Sequence, residues 1–129
     1  MIASNPFSDL DVAQLDQAAR QQGFRRKGQR NWVRRTADFV QLINLQKSQW
    51  SGEEHYLNFA LWPLTMGEPP TVAESKFQFR TRGENTGAND LVGFFLAVDR
   101  MSTLSDLRTA VQSGSVSGLM SKELRGLLA

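Results

Sequence analysis

Polar and apolar residues alternate along two long stretches in the middle of the chain. Over residues 38–48 (DFVQLINLQKS), Phe39, Ile43 and Leu45 share one side with Gln41, while Val40 and Leu42 share the other with Asn44 and Gln46. Over residues 55–62 (HYLNFALW), Leu57, Phe59 and Leu61 form a wholly apolar side, opposite Tyr56, Asn58, Ala60 and Trp62. A period of two belongs to a strand, whose successive side chains point to opposite faces. The two stretches therefore predict neighbouring central strands of an antiparallel sheet, joined through the polar gap SGEEH. The apolar side is expected to lie under helices, and the side carrying amides to face water.

The flanks add further elements. Val12, Leu15, Ala18 and Ala19 recur at helical spacing, with Ser8 and Asp11 as a capping pair and Gly23 as the stop. This predicts a helix over 8–22, with Phe24 folding back on its last turn. FRRK and NWVRR, separated by Gly28-Gln29-Arg30, read as a hairpin, and Thr36-Ala37-Asp38 as the next turn. Pro63, Gly67, Pro69 and Pro70 take the chain out of the sheet. SKFQFRTR brings it back, with Phe77 and Phe79 on one side and Gln78, Arg80 and Arg82 on the other. LVGFFLAV suits either a buried strand or a helical turn, and its β-branched and aromatic content favours the strand. Ser102 or Thr103 caps a helix to about Gln112 with Leu104, Leu107 and Val111 inward. Ser117 is expected to cap a last helix bearing Leu119, Met120, Leu124, Leu127 and Leu128 as one stripe.

These elements make an α+β fold: one antiparallel sheet of five or six strands, with an N-terminal helix and two C-terminal helices on one face. With 129 residues, the chain suits one domain over 1–129. It has no cysteine, which excludes disulfides, thiol catalysis and cysteine zinc sites. The N-terminus lacks the build of a signal peptide and no apolar run approaches a membrane span, so the expectation is a cytoplasmic protein that does not enter a membrane.

Charge changes the picture more than composition does. Seven bases and no acid fall between Arg20 and Ala37, leaving eight bases against thirteen acids elsewhere, although the net charge is only +2. One end of the molecule is thus basic, which can steer an anionic partner. Within that run, Arg25, Arg26, Arg30, Trp32 and Arg34 are the candidate partner-binding residues: arginines pair with phosphate or carboxylate, and an exposed tryptophan stacks a base. The competing reading makes them the charged side of edge strands, with Trp32 in the core; it is preferred, since no nucleic-acid motif accompanies the run.

A second candidate is the amide-and-arginine face formed by Asn44, Gln46, Asn58, Arg80 and Arg82, with Tyr56 and Trp62 nearby. Amides are unusual on central strands, and buried ones need partners. Such a face suits a small polar ligand or a peptide, or else forms a cluster that satisfies itself. Signs of catalysis are few. His55, the only histidine, sits beside Glu53 and Glu54, but adjacent strand residues point apart, which favours a solvated turn histidine over a metal or proton site. Ser48, Ser51 and Ser75 lack a nucleophile elbow, and no glycine loop cradles phosphate. No cofactor is expected.

The same residues carry a family resemblance. Gly23-Phe24 with Gly28 and Trp32, then Asn44, Gln46, Lys47 and Ser48, then Asn58, then Arg80 and Arg82, are similar in order and spacing to the bacterial domain-of-unknown-function family forty-three hundred and four. The resemblance spans roughly residues 8–112. The chain departs from it at Phe94-Phe95, where members often carry a tryptophan pair. The resemblance implies an α+β fold and no established activity. The function read from the residues is a non-enzymatic binding module using Asn44, Gln46, Asn58, Arg80 and Arg82. The alternative is an interaction domain acting through the basic Arg25–Arg35 hairpin on an acidic protein surface or, less favoured, nucleic acid; an immunity-type protein that neutralises a toxin is one example.

Overall fold

The computed structural model describes residues 5–48 and 54–129. Six strands form one sheet in chain order: β1 (Arg25–Arg26), β2 (Asn31–Arg35), β3 (Phe39–Lys47), β4 (His55–Pro63), β5 (Phe79–Arg82) and β6 (Leu119–Met120). Every neighbouring pair is antiparallel. In the central pair, Asn44 lies opposite Asn58, Ile43 opposite Phe59 and Leu42 opposite Ala60. Residues 49–53 of the connection between β3 and β4, Ser51 and Glu53 among them, lie outside the described residues.

Among the described residues four α-helices accompany the sheet: α1 (Val12–Gln21), α2 (Leu91–Asp99), α3 (Leu104–Gln112) and α4 (Lys122–Leu128). The expected apolar side is the main core. Phe39, Ile43, Leu45, Leu57, Phe59 and Leu61 pack there against Leu15 and Ala19 of α1, Phe94 and Val98 of α2, Leu107 of α3 and Leu124 of α4. Gln41 is the exception on this side. It is fully buried, and its amide donates to the backbone oxygens of Val98 (3.0 Å) and Met101 (3.2 Å) while accepting from Arg34 Nε (2.9 Å). A polar group in a core needs such partners; here they tie the end of α2 to the sheet. None of the described helices is long and apolar enough to cross a membrane.

Helix α1 begins three residues later than expected, because Asp11 caps it instead of Ser8. Asp11 Oδ1 accepts from the Gln14 N–H (2.8 Å) and Gln14 Oε1 accepts from the Asp11 N–H (3.1 Å), a reciprocal capping box. The stop is as expected. Gly23 has φ +84°, its N–H bonds Arg20 O, and the Phe24 N–H reaches back to Ala19 O, the two bonds of a Schellman ending.

Three further expectations are overturned. LVGFFLAV is helix α2, not a strand: Asp90 caps it by accepting from the Gly93 N–H (2.7 Å), and Phe94, Phe95 and Val98 turn inward. Because the segment is apolar all round, its periodicity is hidden, and the cap was the better signal. Phe77 and Phe79 do not share a side. Phe77 lies outside β5 and packs edge-to-face on Trp62 at 6.0 Å, whereas Phe79 enters the main core. The last helix is capped by Ser121, not Ser117. Leu119 and Met120 form β6 against Arg80 and Phe79, and this close approach depends on Gly118, where a Cβ would stand 2.5 Å from Arg80 O.

The outer face also differs from a uniformly wet one. The connection between β4 and β5, residues 64–78, folds back as a strap over half of it. Val40, Leu42, Ala60, Trp62 and Phe77 make a second core there, with Val33, Leu64 and Met66 against it. Trp62 Nε1 donates to Gly67 O (2.9 Å), and Arg35 pairs with Glu68 on the strap. The polar half begins where Leu42 gives way to Asn44 and Ala60 to Asn58.

Candidate functional site

Antiparallel register sets four polar residues side by side on the uncovered half: Asn31 on β2, Asn44 on β3, Asn58 on β4 and Arg82 on β5, each the direct partner of the next. Three of them form a hydrogen-bonded ladder. Asn44 Nδ2 donates to Asn31 Oδ1 (2.8 Å) and to the Arg30 backbone oxygen (3.3 Å), and Asn58 Nδ2 donates to Asn44 Oδ1 (3.0 Å) and Gln46 Oε1 (3.0 Å). The Arg30 carbonyl can only accept, so it fixes which way Asn44 faces and, through Asn44, the orientation of Asn58. Asn58 is only 5% exposed, and both of its N–H groups are engaged.

The arginines behave differently. Arg80 and Arg82 are half-buried on the same face as the amides, and neither guanidinium has a hydrogen-bond or ion-pair partner among the described residues. Arg82 instead lies over the Tyr56 ring, 4.0 Å from its centroid. That contact holds the guanidinium in place while leaving its N–H donors free. Gln46, Asn58, Arg80 and Arg82 line one open cavity of about 420 Å³, bordered by Glu74 from the strap and by the chain entering β6. Of the five residues expected to bind ligand, four meet at this cavity, and Asn44, beside it on β3, accepts from Asn58.

A family model described as domain of unknown function (DUF4304) matches residues 15–113. The chain belongs to that family. Comparison with curated proteins and with solved structures found no match. The DUF4304 span holds the amide ladder and both cavity arginines. The segment that borders the cavity on the far side, Ser117 to Leu119, follows it.

The basic run of this DUF4304 domain is largely committed to its own fold. Arg34 pairs with Asp99 (2.8 Å), donates to Gln41 and Gln22, and covers the Phe24 ring at 4.5 Å. Arg35 pairs with Glu68, Arg30 donates to Leu45 O, and Arg26 to Gln29 O. Trp32 is fully buried and its indole N–H donates to Asp16 Oδ1 (2.9 Å), so no face of it is open to stack a base. That bond, helped by Arg20, holds the Asp16 carboxyl below the usual carboxylate range. Arg25 and Lys27 are exposed, with no side-chain hydrogen bond or ion pair among the described residues, at the rim of a groove of about 460 Å³ that Arg34, Arg35 and Glu68 also line.

His55 opens β4, where its backbone N–H bonds Ser8 O and its carbonyl accepts from Asn5 Nδ2. Among the described residues no group of three histidine, aspartate or glutamate side chains could hold a metal; Glu53 lies outside them. A further cavity, about 470 Å³ between α2 and α3, contains none of the expected residues, and its Asp99 is already paired with Arg34. Sequence reasoning missed Asn31 and Glu74. Asn31 could have been found by carrying the strand register one step to β2, whereas Glu74 sits in a strap whose path no periodicity encodes.

Proposed function

We propose that this DUF4304 domain is a binding module without catalytic chemistry of its own, and that its ligand, a small polar molecule or peptide, occupies the cavity on the polar half of the outer face. The observation that carries this reading is the contrast between neighbours. The N–H groups of Asn44 and Asn58 are spent within the ladder, while Arg80 and Arg82 stand half-buried with no partner among the described residues. Holding a cation partly out of water without a partner is unfavourable, and a ligand that supplies acceptors removes the deficit. The amides are the rigid platform and the arginines are the groups left for recognition.

The test is a titration of the ¹⁵N-labelled protein with pooled polar metabolites and short peptides, following the side-chain amide signals of Gln46 and Asn58. Movement that is lost in Arg80→Gln supports the reading. Unmoved amides across every pool, in a protein shown to be folded, would refute it.

Interaction through the basic hairpin takes second place. Its support is the exposed pair Arg25 and Lys27, against several neighbouring arginines that serve the fold. Filter binding to RNA, DNA and an acidic polypeptide over a salt series separates the two readings: affinity that falls steeply with salt and disappears in the Arg25→Gln, Lys27→Gln double variant would favour the hairpin.

A further inference from the structure

The lining of the cavity specifies more than polarity. Elsewhere among the described residues three arginines are ion-paired, Arg20 with Asp16, Arg34 with Asp99 and Arg35 with Glu68. Around this cavity two cations, Arg80 and Arg82, and one anion, Glu74, share a wall without pairing. Arg82 is held on Tyr56 and both arginines are rooted in β5. Glu74 comes from the 3₁₀ turn Glu74–Lys76 at the end of the strap. The two signs of charge therefore reach the cavity from separate elements, and each is left facing it.

Alternate residues of a strand stand about 7 Å apart on one face, so Arg80 and Arg82 can grip one carboxylate from two directions, or one of them can fork it. Asn58 adds a complementary feature. Its N–H groups are spent on Asn44 and Gln46, which leaves its Oδ1 as an acceptor without a described donor. The site thus offers donors with positive charge on one side, and acceptors with negative charge on the other. A phosphate dianion satisfies the arginines but is repelled by Glu74; a plain amine satisfies only Glu74. The volume of about 420 Å³ lies low in the range of small-molecule sites, roughly 300–1,000 Å³, enough for one or two amino-acid residues.

We infer that the ligand is a small zwitterion of the amino-acid or dipeptide class, its carboxylate held by Arg80 and Arg82 and its ammonium group by Glu74 and Asn58 Oδ1. This rests on the reading of the cavity as a binding site. The experiment uses two pools, the common L-amino acids and a set of dipeptides with free termini. Each is compared with its N-acetylated and its C-amidated counterpart, and inorganic phosphate is run alongside. The readouts are the Gln46 and Asn58 side-chain amide signals and the thermal midpoint.

Free zwitterions are expected to shift both, with affinity falling at least tenfold on capping either end. Arg82→Gln is expected to lose the preference for a free carboxylate. Glu74→Gln, a near-isosteric change at a half-buried turn residue whose side chain has no described hydrogen bond or ion pair, is expected to lose the preference for a free amine and keep the other. Equal binding of capped and free forms, or binding of phosphate alone, would overturn the zwitterion assignment while leaving the cavity a binding site. No movement with any of these probes or with the polar metabolite pools would overturn both.

Discussion

Replacing Asn58 by alanine separates what the polar face does for the fold from what it offers a ligand. The substitution removes two hydrogen bonds of 3.0 Å each, to Asn44 and Gln46, from a residue that is 5% exposed. A typical bond of this kind contributes about 1 kcal/mol net. Gln46 is exposed and recovers water, whereas Asn44 is half-buried and recovers less. The expected cost is therefore about 1–3 kcal/mol, from a total that for a domain of this size is about 5–15 kcal/mol, so the variant still folds. Arg80→Gln removes no described bond and is expected to change stability by no more than about 0.5 kcal/mol. Arg82→Gln adds the loss of its contact with Tyr56, about 0.5–1 kcal/mol. Urea unfolding followed by the fluorescence of the buried Trp32 and Trp62 measures all three. If Arg80→Gln costs as much as Asn58→Ala, the guanidinium has a structural partner and the division into platform and recognition groups fails.

Three other perturbations probe the frame that holds the site. Gln41→Ala takes the donor from Met101 O and the acceptor from Arg34, and is expected to cost about 3 kcal/mol or more from unsatisfied groups and lost packing; amide exchange at the C-terminal end of α2 should speed up, and unchanged exchange there would contradict the tie between α2 and the sheet. Asp16 contributes through its ionised form, since the Trp32 indole N–H lowers its pKa. Its share of stability is present above the unfolded carboxylate value of about 3.9 and is lost as pH falls through the lowered native value. The gap in urea midpoint between the native protein and Asp16→Asn should therefore shrink in acid, and a gap that widens would reverse the assignment. Gly118→Ala puts a Cβ 2.5 Å from Arg80 O and must displace β6; a loss of about 1–3 kcal/mol is expected, with shifts in the Asn58 amide signals, and an unperturbed variant would show that β6 does not set the cavity wall.

What the residue order alone determined is the part governed by local period and local caps. Alternation over β3 and β4 assigned Phe39, Ile43, Leu45, Leu57, Phe59 and Leu61 to the helix side and placed Asn44, Gln46 and Asn58 together on the other, since a strand offers only two faces. Gly23 ended α1 where a left-handed residue was required. The tertiary structure decided everything that depends on distant segments meeting. It folded the strap over Val40, Leu42 and Trp62 and carried Glu74 to the cavity. It buried Trp32 beneath Asp16, committed Arg34 and Arg35 to ion pairs, and let β6 close on Arg80 through Gly118. It also made a helix of LVGFFLAV, whose uniform apolarity conceals any period. Spacing reports which side of its own strand a residue occupies; which loop returns to cover that side, and which charge finds a partner there, is set by the free energy of contacts between segments far apart in the chain.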